Sequence, residues 1–339
     1  MPNNLSLLFT DGETLRYGEN SHQTAVFYKD PTCTEASLAT AKQLHGKELS
    51  YNNIVDADAA LEMIREFHDT NAVAIIKHMN PCGLATGETL AEAFSAAWEG
   101  DPVSAFGSVI AVSRKVDLAT AELLKGRFVE ILLAPAFDAD ALEFLKKKSK
   151  DIRLLHVGKI AAAKPCKVYK HVIGGMLVQD RDVGTFEKWD CVTKAKFPTN
   201  KNALAVFTWL ITKHTKSNAI VMCHEYKPGF FCILGLGPGQ PNRIDSNLRL
   251  CQPRVSDNVG RMELPSGKTA AEFEREIFGE LVMGSDAFFP FHDNIEASHQ
   301  AGIRYIVQPG GSVRDAEVIA KADELGVAMI FTGMRHFRH

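Results

Sequence analysis

No stretch of this chain is apolar over the roughly 18 residues needed to cross a bilayer, and no charged segment followed by a long apolar core opens it. Neither a membrane anchor nor a secretory leader is therefore expected. A basic excess is also missing: the formal net charge is −3, and no Lys/Arg run is interleaved with aromatics, so a nucleic-acid groove is not expected. The longest basic run, Lys146 to Lys148, follows an amphipathic stretch and reads as a solvated helix end. Cysteine pairs are wanting too. The seven cysteines, at 33, 82, 166, 191, 223, 232 and 251, include no C-x-x-C, which points to reduced thiols and a cytosolic compartment rather than a disulfide framework or zinc knuckle. No G-x-x-x-x-G-K-[ST] run offers a P-loop.

What is present is ordinary globular composition, 45% hydrophobic and 23% charged, over 339 residues. That length favours two domains over one. Apolar residues at 59, 61, 64 and 67 recur at helical spacing, and residues 72–76 read as a short strand buried on both faces. Thr89 and Glu92 have capping-box spacing ahead of a helix, and residues 108–112, 129–133 and 153–157 read as further strands. The second half alternates in the same way. Helices are expected at 202–214, 270–281, 293–301 and 315–325, and strands at 219–223, 231–234, 304–307 and 327–331. Such alternation predicts an α/β fold. The boundary is placed within residues 180–194, dividing the chain into 1–185 and 186–339.

Two strand ends rhyme. Residues 77–83, Lys-His-Met-Asn-Pro-Cys-Gly, and 308–312, Gln-Pro-Gly-Gly-Ser, each read as a strand entering a Pro/Gly turn and then a helix, the usual place for a ligand in an open α/β sheet. At the first, Lys77 and His78 bring a cation and an imidazole to the end of a buried strand. A nearby ammonium favours the neutral imidazole that a general base requires, and can stabilise an oxyanion. The alternative is a snorkelling lysine and a histidine bonded to a neighbouring carbonyl.

Residues 16–23, Arg-Tyr-Gly-Glu-Asn-Ser-His-Gln, hold many polar groups around one glycine, either for an anion or to cap one another. Gly235, Gly237 and Gly239 precede Gln240 and Arg243, putting flexible backbone beside a cation, but Pro238 and Gln240 break any dinucleotide fingerprint. Residues 285–293, Ser-Asp-Ala-Phe-Phe-Pro-Phe-His-Asp, put three aromatics ahead of a helix that Asp293 could cap; they suit a core or a stacked heterocycle. The tail, residues 332–339, reads as a frayed terminus, with Arg335 a candidate anion contact.

Taken in order, the RYGEN-x-HQ loop, the KH-x-NP strand end, SNAI at 217–220, G-x-G-x-GQ-x-x-R, SDAFFPF and the final R-x-F-x-H resemble the AICAR transformylase family, from Arg16 to His339. The two rhyming strand ends suggest an internal duplication, and the resemblance implies two cytidine-deaminase-like, three-layer α/β/α subdomains. It also implies a homodimer with active sites at the subunit interface, and formyl transfer from 10-formyltetrahydrofolate to the 5-amino group of AICAR. By position, His78 would accept the proton of the amine, Lys77 would stabilise the transition state, and Asn218 would orient the substrate or assist proton transfer. Arg16, Tyr17, Gly107, Glu130, Arg243, Phe288 and Arg335 fall on the nucleotide-contact positions; Asp293, Ser312 and Val313 fall on the folate side. No tightly bound cofactor and no metal ligand set are implied, although a monovalent cation is admitted.

His292 stands where the family pattern has Arg, Glu130 where some relatives have Asp, Pro241 follows the loop glutamine, and residues 222–231 diverge. Most relatives carry an N-terminal IMP cyclohydrolase domain with no counterpart in these residues, so transformylase without cyclohydrolase activity is expected. Two rivals remain. A zinc nucleoside deaminase would need H-x-E and P-C-x-x-C, but Asn80 and Ala85 occupy the decisive positions. The other is a non-catalytic purine-nucleotide-binding module on the same scaffold.

Overall fold

A computed structural model describes residues 3–339. The chain forms two compact units, one of Met1–Trp98 with Pro102–Ala161 and the other of Glu99–Asp101 with Ala162–His339. That division falls earlier than the 185/186 boundary drawn from the sequence. Residues 182–185 are tied to the second unit because Thr185 O accepts from the Trp209 indole at 2.6 Å and Asp182 Oδ2 lies 2.5 Å from His336 Nδ1.

In the first unit, β1 (Thr10–Thr14) and β2 (Val26–Lys29) form a separate antiparallel pair, followed by β3 (Lys42–His45) and α1 (Tyr51–Arg65). Then come β4 (Asn71–Lys77), β5 (Asn80–Gly87), α2 (Leu90–Glu99), β6 (Ser108–Val112), α3 (Leu118–Glu122), β7 (Val129–Ala134), α4 (Ala139–Lys148) and β8 (Arg153–His156). The strand order is β5-β4-β6-β7-β8-β3, with β6, β7 and β8 parallel and the other neighbours antiparallel. Ala72 to Ile76 are buried on both faces of β4, with α1 packed across β4 and β6. Burying each isoleucine there contributes about 1.5–3 kcal/mol.

Helix α1 starts at Tyr51, eight residues before the first apolar position of the helical repeat at 59. Ser50 and Asn53 close a capping box whose second member is Asn rather than Glu or Gln, which weakens the sequence signal. Helix α4 does end on Lys146 to Lys148.

Strand β5 corrects the expectation of a turn leading into a helix after Lys77. The chain instead reverses through a two-residue hairpin and runs back along β4. Pro81 is tolerated because the ladder bulges there: Ile76 pairs with Pro81, but Ile75 pairs with Gly83. Gly83 itself is required, since a Cβ would lie 2.0 Å from the Ala97 carbonyl of α2.

The second unit begins with the hairpin β9 (Lys167–Val172) and β10 (Gly175–Asp180), then β11 (Asp190–Cys191), α5 (Asn202–Lys213), β12 (Ile220–Lys227) and β13 (Phe230–Gly237). The divergent residues 222–231 are thus most of β12 and its turn into β13. The short α6 (Arg243–Asp245) runs through a π-helical turn at Ser246–Cys251 into α7 (Gln252–Val259). Next are α8 (Ala270–Glu280), β14 (Val282–Ser285), α9 (Asp293–Ala301), β15 (Tyr305–Gln308), α10 (Asp315–Leu325) and β16 (Ala328–Phe331). Strand order here is β11-β16-β15-β14-β12-β13, with β14, β15 and β16 parallel and the other neighbours antiparallel. Met222, Met283, Phe289, Ile306 and Met329 share its core. Both units are mixed α/β with one strand order and one set of strand directions. No helix among the described residues is long and apolar enough to cross a membrane.

Candidate active site

In the first unit, Lys77, His78 and Gly107 meet at the β4–β5 turn. His78 and Met79 have φ of 50° and 64°, the positive values that a type I′ hairpin demands at both central positions. Neither is glycine or asparagine, and left-handed backbone costs an ordinary residue about 1 kcal/mol or more, so surrounding bonds must hold the turn. Asp56 Oδ1 of α1 accepts the Met79 N–H at 2.8 Å, and Asn80 Nδ2 donates to His78 O at 3.2 Å. The His78 side chain is exposed at the tip.

Lys77, the last residue of β4, donates from Nζ to the carbonyls of Phe106 and Gly107, each at 2.9 Å. An ammonium has three N–H donors, so one is left for a ligand. Gly107 has φ +67°, and a Cβ there would sit 3.2 Å from the Phe128 ring and 3.3 Å from Lys77 Nζ. The backbone that anchors the lysine therefore calls for glycine. Glu130 is already paired: its Oε2 accepts from Arg153 Nη1 at 2.6 Å, which turns a carboxylate expected at the nucleotide into part of an ion pair.

The loop bearing Arg16 and Tyr17 largely satisfies itself. Gly18 N donates to Gln23 O at 2.8 Å, Gln23 N to Asn20 O at 3.0 Å, and Gln23 Oε1 accepts from Asn20 N at 2.8 Å. Asn52 of α1 donates to Glu19 O at 3.1 Å. Arg16 itself is exposed, its guanidinium 5.4 Å from the Tyr17 ring centre.

In the second unit, Arg243 and, through it, Asn218 converge on a residue the sequence reading gave no role. Asp286, fully buried just past β14, accepts from Arg243 Nη2 at 2.7 Å, from Ala219 N at 3.2 Å and from the Ser217 hydroxyl. Arg243 Nη2 also donates to Asn218 Oδ1 at 2.8 Å. Asn218 Nδ2 spends both hydrogens on the carbonyls of Gln240 (2.9 Å) and Pro241 (3.0 Å). Arg243, read as a phosphate partner, is thus a buried counterion, with its Nε unpartnered among the described residues. What Asn218 can still offer is a lone pair on Oδ1. Asp286 stands second in the SDAFFPF motif, but nothing local in the sequence marks it as the counterion of Arg243.

Beside Asn218, the Lys216 ammonium lies below its ordinary pKa because it is partly buried and because Arg338 and Lys170 add like charge. Among the aromatics of 285–293, Phe289 enters the core, Phe288 is half-buried, and Phe291 is exposed under the Arg314 guanidinium at 4.8 Å. Asp293 does not cap α9, which corrects that expectation. His292 takes the cap position, and Asp293 opens the helix with Oδ1 accepting Asn294 N at 2.8 Å. His292 Nδ1 lies 3.3 Å from Glu296 Oε2.

In the 308–313 turn, Asp315 takes the amides of Gly311 (2.7 Å) and Ser312 (3.1 Å), leaving the Val313 side chain fully exposed. The tail is not frayed. His336 is buried, with Nε2 3.0 Å from Thr185 O, while Arg335 is exposed with its guanidinium 4.4 Å from the Phe337 ring centre.

For the deaminase rival, the donors do not assemble: no group of three or more His, Cys, Asp or Glu among the described residues could hold a metal ion, and Cys82 Sγ donates to Ile75 O at 3.4 Å. Comparison with known proteins agrees with the motif order. The family model described as AICARFT/IMPCHase bienzyme matches residues 1–251. Among curated relatives, the bifunctional purine biosynthesis protein PurH of Lactobacillus delbrueckii subsp. bulgaricus is 48% identical over 345 residues, covering 100% of this chain and 62% of that protein. The PurH proteins of Limosilactobacillus reuteri and Bacillus subtilis are 47% and 44% identical, again over 100% of this chain and 62% and 61% of theirs. The chain therefore spans less than two thirds of the length of these relatives.

Proposed function

Because the chain belongs to the AICARFT/IMPCHase bienzyme family, we propose that it acts in purine biosynthesis by formylating AICAR from 10-formyltetrahydrofolate. The observation that carries this is the β4–β5 turn, where an exposed imidazole at His78 stands next to an ammonium that two backbone carbonyls hold at Lys77. The 5-amino nitrogen of AICAR is a weak nucleophile, its lone pair being delocalised into the ring and carboxamide. His78 takes a proton from that nitrogen as it bonds to the formyl carbon. The formyl oxygen gathers negative charge, and the remaining N–H of Lys77 faces it. The bond from the formyl carbon to N10 of the folate then breaks, N10 takes up a proton, and FAICAR and tetrahydrofolate leave.

Asn218 orients the substrate through Oδ1. Arg16, Tyr17, Gly107, Phe288 and Arg335 contact the nucleotide, with Glu130 doing so while paired to Arg153 and Arg243 acting through Asn218 and Asp286. Asp293, Ser312 and Val313 belong to the folate side. The proposal extends to a cytosolic homodimer with active sites at the subunit interface, to a monovalent cation without tightly bound cofactor, and to units that are duplicated cytidine-deaminase-like subdomains, a reading that their common strand order supports. Ring closure of FAICAR to IMP is not expected of these 339 residues.

The test is formyl transfer to AICAR followed by tetrahydrofolate absorbance, with His78→Ala at matched folded fraction. Loss of a general base predicts a fall of about 10² or more in kcat. Saturable AICAR binding without turnover in the wild type would refute formyl transfer in favour of a binding module, and IMP formation would refute the restriction to one reaction.

A further inference from the structure

Asn52 and Asp56 stand one helical turn apart on α1, and each is bonded to a different candidate segment. Asn52 Nδ2 donates to Glu19 O at 3.1 Å, in the loop that carries Arg16 and Tyr17. Asp56 Oδ1 accepts the Met79 N–H at 2.8 Å, in the turn that carries His78. Residues four apart share one face of a helix, so a single rigid surface holds both segments. The helix is itself well fixed, by its Ser50–Asn53 capping box and by burial of Ala57, Ala60, Leu61 and Ile64. Packing is thus supplied by other residues, leaving the Asp56 carboxylate to the turn.

The turn needs such support. Both of its central residues are held at positive φ without glycine, and a hairpin turn N–H has no ladder partner of its own. From this we infer that Asp56 is a positioning residue for the formyl transfer proposed above. Its acceptor oxygen fixes Met79, hence the direction in which His78 is presented, while Asn52 refers the nucleotide loop to the same helix face. The inference rests on that proposed reaction for its functional half and on the Met79 hydrogen bond for its structural half.

The test uses the full chain with Asp56→Ala, which removes the acceptor, and Asp56→Asn, which keeps an oxygen at the same place. The readouts are kcat and KM for AICAR, and amide exchange at Met79. Misplacing a reacting group by a fraction of an ångström is costly, so Asp56→Ala should lower kcat by about tenfold or more while KM changes by less than about threefold. Met79 exchange should accelerate, and Asp56→Asn should restore kcat to within about threefold of wild type.

Folded Asp56→Ala with unchanged kcat, or equal loss in both variants, overturns the positioning role. Unchanged Met79 exchange in Asp56→Ala overturns the inference whatever the reaction. If the wild type transfers no formyl group while Met79 exchange accelerates in Asp56→Ala, the assigned reaction fails and the hydrogen bond stands. Should Asp56→Ala not fold, loss of turnover in folded Asp56→Asn refutes the acceptor argument and retained turnover upholds it.

Discussion

Acidification should weaken the second unit through one histidine. His224 lies in β12, with Nδ1 buried and without a hydrogen-bond partner among the described residues. Burial, followed by the nearby Lys201 ammonium, lowers its pKa from about 6.5 to about 4, against a smaller opposing pull from Glu280 and Glu225. The cation is locked in place, since Lys201 Nζ donates to Glu280 Oε2 at 2.6 Å and to Glu280 O at 2.8 Å.

The unfolded chain regains the ordinary histidine pKa and so binds the proton more readily than the folded one between pH 6.5 and 4. Stability from this group is complete above about 6.5 and is lost as pH falls toward 4. Each pH unit inside that window is worth about 1.4 kcal/mol, so the whole window is worth about 3 kcal/mol. The assay is urea unfolding by far-UV circular dichroism at pH 7, 6, 5 and 4.5, comparing wild type with His224→Leu, which cannot titrate. Wild type should lose about 2–3 kcal/mol more than the variant across that range. Equal pH dependence in the two proteins would refute the argument, as would a His224 ring titrating near pH 6.5 by NMR in the folded chain.

Two further outcomes are expected. Gly107→Ala, at φ +67° and with its new Cβ 3.3 Å from Lys77 Nζ, should cost about 1–2 kcal/mol in urea unfolding and lower kcat with little change in AICAR KM; unchanged stability would show that the loop relaxes freely. Asp286→Ala leaves the Arg243 guanidinium buried without its counterion and should destabilise the second unit by about 3–5 kcal/mol, a loss under about 1 kcal/mol being the refuting result.

The elements read well from sequence share one property: their cause is local. Residues 72–76 are apolar because both faces of β4 are covered, and 293–301 and 315–325 repeat at helical spacing because one face of each packs inward. Hidden elements have causes elsewhere in the chain. Strand β5 contains a proline and follows a turn without glycine, so only its pairing with β4 reveals it. The tail looked frayed because nothing local shows that His336 is buried beside Asp182 and Thr185, more than 150 residues away in sequence.

The same distinction divides the candidate site. Residue chemistry and motif order by themselves singled out Lys77, His78, Asn218 and Arg243, since a cation, an imidazole, an amide and a guanidinium carry their reactive groups in any conformation. What each group is free to do was decided only by tertiary structure, because hydrogen-bonding capacity is finite and is consumed by neighbours distant in sequence. Two carbonyls leave Lys77 one donor, Asp286 turns Arg243 into a counterion, and the carbonyls of Gln240 and Pro241 take both donors of Asn218, while Asp56 holds the turn from which His78 projects.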